Sequence, residues 1–415
     1  VGRRLLPITK NRPKPMIPVA GKPLLQYTVD YLKQVGINNI LIVVGYLDQI
    51  IRDYFGDGGD FGVNITYINQ QEYSGTANAT KLGQQFVNKD NFLLIYGDIY
   101  TEKAVYDEIV GIFKNSDVNS LICLKKVEDP TKYGIISLNQ QQLVDKIVEK
   151  PKSDEYGNLA NAGIYIFNSD IFEGINRTEK SARGEYEITD SIQILIDEDY
   201  RMYGYDLSKQ FWNDVGHPWQ LIDTNKEILK HISPKIEGTI ENNVSISGDV
   251  YIGKNTTVKS GTYIEGPAYI GDDAIIGPSA YIRPYSFIGK HCKIGNSSEI
   301  KNSIILKNTY ISHLSYIGDS IVGSNVNFGC GSVVSNTRLD KQNICMNIKD
   351  KKVNTKRKKM GAIIGDNTQL GINTLVFCGR KIGNDCFIGP GTIVSEDVPD
   401  NHQYYVCQKI IKKKR

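Results

Sequence analysis

Hydrophobic positions in the second half of the chain recur with a period of six residues. An aliphatic residue stands at every sixth position over residues 240–300, and after short skips the period resumes over 305–334 and 364–394. Glycine often follows the aliphatic residue, as in Ile252-Gly253 and Ile288-Gly289. An amphipathic helix repeats every 3.6 residues, so a period of six excludes it. The pattern predicts short strands joined by tight turns, with the aliphatic side chains pointing inward.

This pattern resembles the hexapeptide repeat of the left-handed parallel β-helix. About twenty-three units, at three per coil, correspond to roughly seven to eight coils, which we place within residues 236–400. The period is lost over residues 335–360, where eight basic side chains between Lys341 and Lys359 are opposed by Asp350. We expect this segment to leave the coil as a loop.

The first half of the chain alternates apolar runs with helical patterns. The runs at residues 40–45 and 92–97 are short, apolar and end in glycine, as buried parallel strands do. Residues 24–35 and 188–199 have helical spacing. We therefore predict a doubly wound α/β domain over residues 1–232, with ligands beyond the carboxyl ends of its strands. Residues 401–415 are predicted to form a basic C-terminal tail.

Composition narrows the class of protein. The 415 residues carry 49 basic and 46 acidic side chains, so the net charge of +3 gives no general drive to bind nucleic acid. The sequence contains no run near the roughly 20 apolar residues of a membrane span. Its seven cysteines are an odd number without a CxxC pair. These features predict a soluble cytoplasmic protein of two or three domains with reduced thiols.

The residues suited to chemistry begin at the start of the chain. Gly2-Arg3-Arg4-Leu5 and Arg12-Pro13-Lys14-Pro15 resemble the signature of sugar-1-phosphate nucleotidylyltransferases, whose Gly-x-Gly-x-Arg-Leu loop follows the first strand. Gly2, Arg4 and Lys14 match the second glycine, the arginine and the downstream lysine. Glycine lets backbone N–H groups approach a triphosphate, and the two cations would offset charge on the leaving pyrophosphate. The first strand and first glycine precede Val1 in this pattern, so we expect a truncated N-terminus.

Further segments match that family in chain order. Residues 70–77 resemble its base-recognition segment, which implies nucleotide contacts from Gln70, Gly75 and Thr76. The resemblance implies Mg²⁺ ligands at Asp98 and Asp214. The implied sugar-phosphate ligands of this site are Glu149, Lys150 and Asn161. Taken singly, a Gly-Asp pair at a strand end is more often a turn. All these matches together, in the order of the family, favour a nucleotidylyltransferase.

The repeat region contains a second set of candidate residues. Residues 313–320 closely resemble the catalytic core of those bifunctional family members that also acetylate amino-sugar phosphates. By that resemblance His313 is the general base, because an attacking amine must lose a proton and imidazole titrates near working pH. Cys330 stands where that core usually has alanine. The implied sugar-phosphate ligands are Arg283, Lys301, Tyr316 and Asn327, and the implied acetyl-CoA contacts are Cys330 and Asn336.

Together the resemblances imply a bifunctional enzyme, similar to archaeal members. It would acetylate glucosamine-1-phosphate with acetyl-CoA and couple the sugar-1-phosphate to UTP or dTTP, releasing pyrophosphate. The family also implies Mg²⁺ as cofactor and a homotrimer formed through the β-helix, with residues 341–359 near the CoA phosphates.

Other functions remain open at this point. The β-helix could be only an oligomerisation or regulatory scaffold for a nucleotidylyltransferase, or the chain could bind sugar nucleotide without turnover. The sequence does not decide whether the nucleotide is UTP or dTTP. It also does not decide which sugar-1-phosphate is used, galactosamine-1-phosphate included, because apolar pockets discriminate a methylene by only about 1–3 kcal/mol.

Overall fold

The computed structural model describes residues 2–407, 409 and 411–413. Its chain divides into two compact units, one formed by Leu24–Asp214 and the other by Val1–Pro23 together with Val215–Arg415. The chain start at Val1 and the last residues of the predicted basic tail, Lys414 and Arg415, lie outside the described residues. The domain limits that we predict from the sequence stay predictions.

Helices occur in both units. They are α1 (Leu24–Gln34), α2 (Asp48–Phe55), α3 (Thr76–Lys81), α4 (Gln84–Val87), α5 (Lys103–Asn115), α6 (Ile171–Arg177), α7 (Ile188–Ile196) and α8 (Pro218–Lys230). The strands before the repeat are β1 (Pro18–Val19), β2 (Lys22–Pro23), β3 (Asn39–Val44), β4 (Asn64–Asn69), β5 (Phe92–Ile95), β6 (Tyr100–Thr101), β7 (Ser120–Lys126), β8 (Gly134–Leu138), β9 (Val144–Glu149), β10 (Leu159–Phe167), β11 (Met202–Asp206) and β12 (Trp212–Asn213). None of the described helices has the length and apolarity that crossing a membrane requires.

Strand β10 lies at the centre of the Leu24–Asp214 unit. It pairs antiparallel with β5, β7 and β8, while β11 runs parallel to β7. Tyr165 and Phe167 pack with residues of α6 and α7, whereas Ile164 and Ile166 pack with residues of α5. Because successive side chains of a strand point to opposite faces, helices cover both faces of this sheet, as the α/β prediction requires.

One detail of the sequence prediction is wrong. The run at residues 40–45 forms β3, which pairs in parallel with β4 as expected. The run at 92–97 forms β5, which instead pairs antiparallel with β10. A strand that is apolar throughout shows no alternation, so its sequence carries no signal of the direction of its neighbours.

The repeat folds as a left-handed parallel β-helix, which confirms the fold class. Within the described residues its strands form three parallel sheets of eight, nine and eight strands, which we call sheets E, F and G. Sheet E contains β13 (Lys235–Ile236), β16 (Val250–Ile252), β19 (Ala268–Ile270), β22 (Phe287–Ile288), β25 (Ile304–Ile305), β28 (Ile321–Val322), β33 (Ile363–Ile364) and β36 (Lys381–Ile382). Sheet F contains β14 (Thr239–Ile240), β17 (Thr257–Val258), β20 (Ile275–Ile276), β23 (Lys293–Asn296), β26 (Tyr310–His313), β29 (Asn327–Phe328), β34 (Gln369–Leu370), β37 (Phe387–Ile388) and β39 (Gln403–Tyr404). Sheet G contains β15 (Ser245–Ser247), β18 (Tyr263–Glu265), β21 (Tyr281–Ile282), β24 (Glu299–Lys301), β27 (Tyr316–Gly318), β30 (Val333–Val334), β35 (Leu375–Val376) and β38 (Ile393–Val394).

The periodic aliphatic residues form the core of this coil. Ile252, Ile270 and Ile288 are fully buried in one cluster with their counterparts from the other two sheets. The β-helix has one strand more at each end than the period predicts, because β13 and β39 also pair with the coil. Ile236 lies in β13 and Tyr404 lies in β39. Neither residue is six positions from the neighbouring aliphatic residue of the repeat, which explains why a strict period of six misses them.

The break in the period is an ordered hairpin and not a plain loop. Strands β31 (Cys345–Ile348) and β32 (Lys351–Asn354) pair antiparallel. Met346 and Ile348 are buried, and the Asn347 side chain donates to Asp397 over 3.0 Å. Arg357, which follows β32, forms an ion pair with Asp223 of α8. The basic segment is therefore held against its own unit at several points.

The first residues of the chain pack on sheet E. A Cβ atom at Gly21, between β1 and β2, would lie 2.3 Å from the Tyr269 ring, so this turn lies directly on that ring. Asn225 of α8 accepts a hydrogen bond from the Ala20 N–H and donates one to the Tyr285 carbonyl. The outward-facing side chains of Ile304 and Ile321 are fully buried. Residues 2–23, which contain the nucleotidylyltransferase signature, therefore belong structurally with the β-helix.

Candidate functional site

The base-recognition segment is clamped by backbone contacts within the Leu24–Asp214 unit. Gly75 has φ +115°, and a Cβ there would lie 2.3 Å from the Tyr186 carbonyl oxygen. That same oxygen accepts from the Ala77 N–H, and the Thr76 hydroxyl accepts from the Ile188 N–H over 3.0 Å. Glycine is required at position 75 because any side chain would collide with this backbone.

Gln70 lies at the carboxyl ends of two parallel strands. Its N–H donates to the Val44 carbonyl over 2.8 Å, directly beyond the β3–β4 pairing. In an α/β sheet this edge is where ligands bind. The position therefore fits the predicted nucleotide contact, which remains a prediction.

The two predicted metal ligands are brought to the same place by a strand pair. Tyr100 of β6 is the antiparallel partner of Asn213 of β12. Asp98 precedes β6 and Asp214 follows β12, so the antiparallel register brings both carboxylates to one end of the pair. Both side chains are half-buried. Two carboxylates at one end, completed by phosphate oxygens, are a donor set that suits Mg²⁺.

The predicted sugar-phosphate residues surround Gly134. A Cβ at Gly134 would lie 2.9 Å from Glu149 Oε2 and 3.7 Å from Asn161 Cβ. Glu149 forms ion pairs with Lys150 at 2.9 Å and with Arg183 at 3.2 Å. Asn161 donates to the Tyr165 hydroxyl and accepts from the Gly163 N–H. The structure thus brings together Glu149, Lys150 and Asn161, and their role in binding a sugar phosphate stays a prediction.

Arg183 is a residue of this cluster that the sequence analysis does not assign. Besides Glu149, its guanidinium contacts Glu187 at 3.0 Å and Glu185 at 3.1 Å. Burial, with the nearby charge of Glu149, raises the pKa of Glu187. In the sequence Arg183 is an isolated arginine directly before Gly184, so no motif of the sequence analysis includes it.

In the β-helix, the predicted sugar-phosphate residues of the acetyl site lie along sheet G. The register aligns Glu299 of β24 with Tyr316 of β27. Arg283, following β21, forms an ion pair with Glu299 at 2.9 Å, and that hydrogen bond raises the pKa of the guanidinium. Lys301 forms an ion pair with Asp319 at 2.9 Å. Each cation that the resemblance assigns to phosphate is therefore held by a carboxylate.

Asp319 connects residues that the sequence analysis assigns to two different substrates. Its side chain accepts from Lys301, from Asn302 over 2.7 Å and from Asn336 over 2.5 Å. Asn336 also donates to the Tyr316 hydroxyl over 3.0 Å, and burial raises the pKa of that phenol. Asp319 is only 5% exposed. One buried carboxylate thus links the predicted phosphate ligand Lys301 to the predicted acyl contact Asn336.

His313 stands at the end of β26 in sheet F, where the chain turns toward sheet G. Its side chain is exposed, and its carbonyl accepts from the Ser315 hydroxyl and from the Gly331 N–H. The register pairs β26 with β29, which begins at Asn327. Continuing that register places Cys330 beside His313 in the next coil. Three residues after His313, Tyr316 begins the strand that belongs to the charged cluster.

Arg4 and Lys14 lie in short 3-10 turns of the first segment. Arg4 is exposed in Arg3–Leu5, and Lys14 is half-buried at the start of Lys14–Met16. Gly2 accepts a hydrogen bond from the Thr9 hydroxyl over 2.8 Å, which closes the loop on itself. Their predicted roles on a triphosphate remain predictions.

An α/β nucleotidyltransferase domain joined to a hexapeptide β-helix defines a class of two-domain sugar-nucleotide enzymes. Residues 1–231 match the family described as nucleotidyl transferase, and residues 264–377 match the C-terminal domain family described as GMPPB C-terminal domain. The chain belongs to the bifunctional sugar-1-phosphate nucleotidylyltransferase/acetyltransferase family, as its relatives indicate.

These relatives cover almost the whole chain. The protein named bifunctional protein GlmU of Methanococcus maripaludis is 43% identical over 416 residues, covering 100% of this chain and 97% of its own length. The bifunctional sugar-1-phosphate nucleotidylyltransferase/acetyltransferase of Sulfurisphaera tokodaii is 39% identical, covering 96% of each chain. A solved structure of a candidate glucose-1-phosphate thymidylyltransferase from Bacillus anthracis is 31% identical, with a TM-score of 0.51, over 56% of this chain and 93% of its own.

Proposed function

We propose that this protein acetylates glucosamine-1-phosphate with acetyl-CoA and transfers a uridylyl or thymidylyl group from a nucleoside triphosphate to the sugar-1-phosphate. The observation that carries the acetyl-transfer proposal is the buried cluster in which Asp319 joins Lys301 to Asn336 beside Tyr316. A coil that served only for assembly would have no need to bury this set of charges, because desolvating ions costs free energy. The names of the relatives support both activities.

In acetyl transfer the amino nitrogen of the sugar attacks the thioester carbonyl carbon. His313 accepts the proton that the nitrogen loses, the C–S bond breaks, and CoA leaves as the thiol after protonation. Arg283 and Lys301 bind the sugar phosphate, while Asn336 contacts the acyl group. The exposed position of His313 at a coil corner leaves its ring accessible to both substrates.

In nucleotidyl transfer an oxygen of the sugar-1-phosphate attacks the α-phosphorus of the triphosphate. The bond to the bridging oxygen breaks and pyrophosphate leaves, so no covalent enzyme intermediate is needed. Arg4 and Lys14 offset charge on pyrophosphate, Gly2 offers its N–H, and Gln70, Gly75 and Thr76 hold the nucleotide. Glu149, Lys150 and Asn161 hold the sugar-1-phosphate.

Asp98 and Asp214 would hold Mg²⁺ in this proposal. Their shared end of the β6–β12 pair and their carboxylate chemistry fit the ion. When bound, Mg²⁺ supplies positive charge that neutralises phosphate oxygens.

Three structural features support the proposed CoA contacts, assembly and location. The basic β31–β32 hairpin offers Lys349, Lys351 and Lys352 to the phosphates of CoA. Leu375, Phe377 and Ile393 are 41%, 50% and 47% exposed on the last coils, which supports a homotrimer through the β-helix. All seven cysteines are free, in keeping with a cytoplasmic location.

Both half-reactions can be measured on one preparation. We expect acetyl-CoA-dependent thiol release with glucosamine-1-phosphate, and pyrophosphate release when UTP is added with N-acetylglucosamine-1-phosphate and Mg²⁺. Replacing UTP by dTTP, and glucosamine- by galactosamine-1-phosphate, identifies the preferred substrates. Pyrophosphate release without any thiol release from acetyl-CoA, in the presence of either amino-sugar phosphate, would instead support the scaffold function of the β-helix.

The Asp319→Asn variant is expected to lower kcat/KM for acetyl transfer by about 10- to 100-fold, because misplaced substrate contacts cost rate steeply. Asparagine tolerates the positive φ of +52° at this corner, so the backbone is preserved while the charge facing Lys301 is lost. The KM values for both acetyl-CoA and the sugar phosphate should rise, measured by thiol release.

The matched control is Asp273→Asn, at an exposed corner with φ +56°. It should leave both KM values unchanged. Wild-type kinetics in Asp319→Asn would contradict the linking role of this carboxylate.

A further inference from the structure

A ladder of polar side chains follows one corner of the last coils. The side chain of Asp366 accepts from the Ser324 N–H over 2.8 Å, and the Asp366 N–H in turn donates to the Asn384 side chain over 2.7 Å. Asp400 accepts from the Asn384 N–H, also over 2.7 Å. Each rung therefore uses one side-chain oxygen to bind the preceding coil. Asp366 has a second oxygen that the ladder does not use.

The first segment of the chain binds to this ladder. The Arg12 guanidinium contacts both Asp366 oxygens, at 2.9 and 2.8 Å, and Asn11 donates to Asp366 over 3.0 Å. Lys10 forms an ion pair with Asp400 at 2.6 Å. The Arg12 and Asp366 side chains are only 14% and 5% exposed, so water screens their interaction weakly.

Arg12 also organises its own segment. Its other terminal nitrogen donates to the Ile8 carbonyl over 3.0 Å. Arg12 thus connects Asp366 to the turn that follows Arg4. Arg12 itself lies two residues before Lys14. A planar guanidinium with several fixed contacts restricts the backbone on both sides of it.

We infer that Asp366 of the β-helix is a positioning residue for nucleotidyl transfer, acting through Arg12 on the segment that carries Arg4 and Lys14. This inference rests on the proposed function, in which those two cations act on the leaving pyrophosphate. Nucleotidyl transfer therefore depends on a coil of the β-helix, while Asp366 lies outside the cluster assigned to acetyl transfer. The two activities share a structural element without sharing a substrate site.

The test is Asp366→Asn in the full-length protein. Asparagine already occupies the equivalent rung at Asn384, where it accepts the same backbone hydrogen bond, so the ladder is kept while the charge facing Arg12 is lost. We expect kcat for pyrophosphate release to fall by about 10-fold, with less change in the KM for the triphosphate, because the cations act in the transition state. Thiol release in acetyl transfer should stay at the wild-type rate.

The pair itself is tested by Arg12→Gln. Its loss should match that of Asp366→Asn, and the double variant should lose no more than either single variant. Asp385→Asn, an exposed corner aspartate, is the control and should keep both activities. Hydrogen exchange of the peptide covering residues 2–16 should accelerate in Asp366→Asn and in Arg12→Gln, but not in Asp385→Asn.

Three outcomes are distinguishable. Unchanged kcat in Asp366→Asn, with a wild-type protein that releases pyrophosphate, overturns the inference. Unchanged exchange of residues 2–16 also overturns it, and this measurement needs no activity. A wild-type protein that releases no pyrophosphate, or full activity in Lys14→Ala, contradicts the proposed function instead.

Discussion

Replacing His313 with alanine is expected to lower kcat for acetyl transfer by about 10²- to 10⁴-fold, the usual contribution of a general base. The amine nucleophile must lose a proton as it attacks, and alanine offers no group to accept it. Nucleotidyl transfer should remain at the wild-type rate, since the proposed function gives His313 no contact with the triphosphate or with the sugar-1-phosphate of that reaction. Thiol release and pyrophosphate release, measured on the same sample, separate the two effects.

His402→Ala is the control for this variant. His402 is exposed and directly precedes β39, which belongs to the same sheet as β26. Like His313 it is an exposed histidine of the β-helix, but it is not next to the cluster around Asp319. Its acetyl transfer should be unchanged. Full thiol release by His313→Ala would mean that a group other than His313 is the base.

The Asp98→Asn variant is expected to lower pyrophosphate release by about 10²- to 10³-fold, while acetyl transfer continues. An amide keeps the size of the side chain but removes the negative charge that attracts Mg²⁺. The Mg²⁺ concentration that gives half-maximal rate should rise, because one carboxylate would then remain at the end of the β6–β12 pair. A titration of pyrophosphate release against Mg²⁺ measures both quantities.

Asp90→Asn, an exposed aspartate before β5, should behave as wild type in that titration. An unchanged Mg²⁺ dependence in Asp98→Asn would remove Asp98 from the metal site. Asp214→Asn would then show whether the other carboxylate binds the ion alone.

The sequence predicts the β-helix well because each coil obeys a local rule. An inward aliphatic residue every six positions is sufficient to place strands such as β17 and β20, and Gly277, which follows β20 with a φ of +94°, permits the turn there. The rule fails at Ile236 and Tyr404, where spacing changes at the ends of the coil. It also fails at the hairpin, whose buried Met346 belongs to an antiparallel pair with its own pattern.

The candidate sites are predicted less completely, for reasons that differ between residues. Asp319 has a positive φ at a coil corner, as do Asp273 and Asn325, so by sequence it is indistinguishable from an ordinary turn residue. The pairing of Arg12 with Asp366 joins positions 354 residues apart, and no local pattern records it. Short-range motifs indicate which residues are predicted to bind substrate, whereas the carboxylates that hold those residues become visible only in the folded chain.

The regular coil also limits how this domain can change in length. Asn255 and Asp273 are 18 residues apart and hydrogen-bond across neighbouring coils. Inserting or deleting six residues would shift every later strand to the next sheet, and would move Ile304 or Ile321 away from the face that covers them. Whole coils can be gained or lost without this displacement, as can segments that leave the coil at a corner in the way the β31–β32 hairpin does. We therefore expect length changes within the coil itself to come in steps of a full turn, while Asp366 and the acetyl cluster keep their faces.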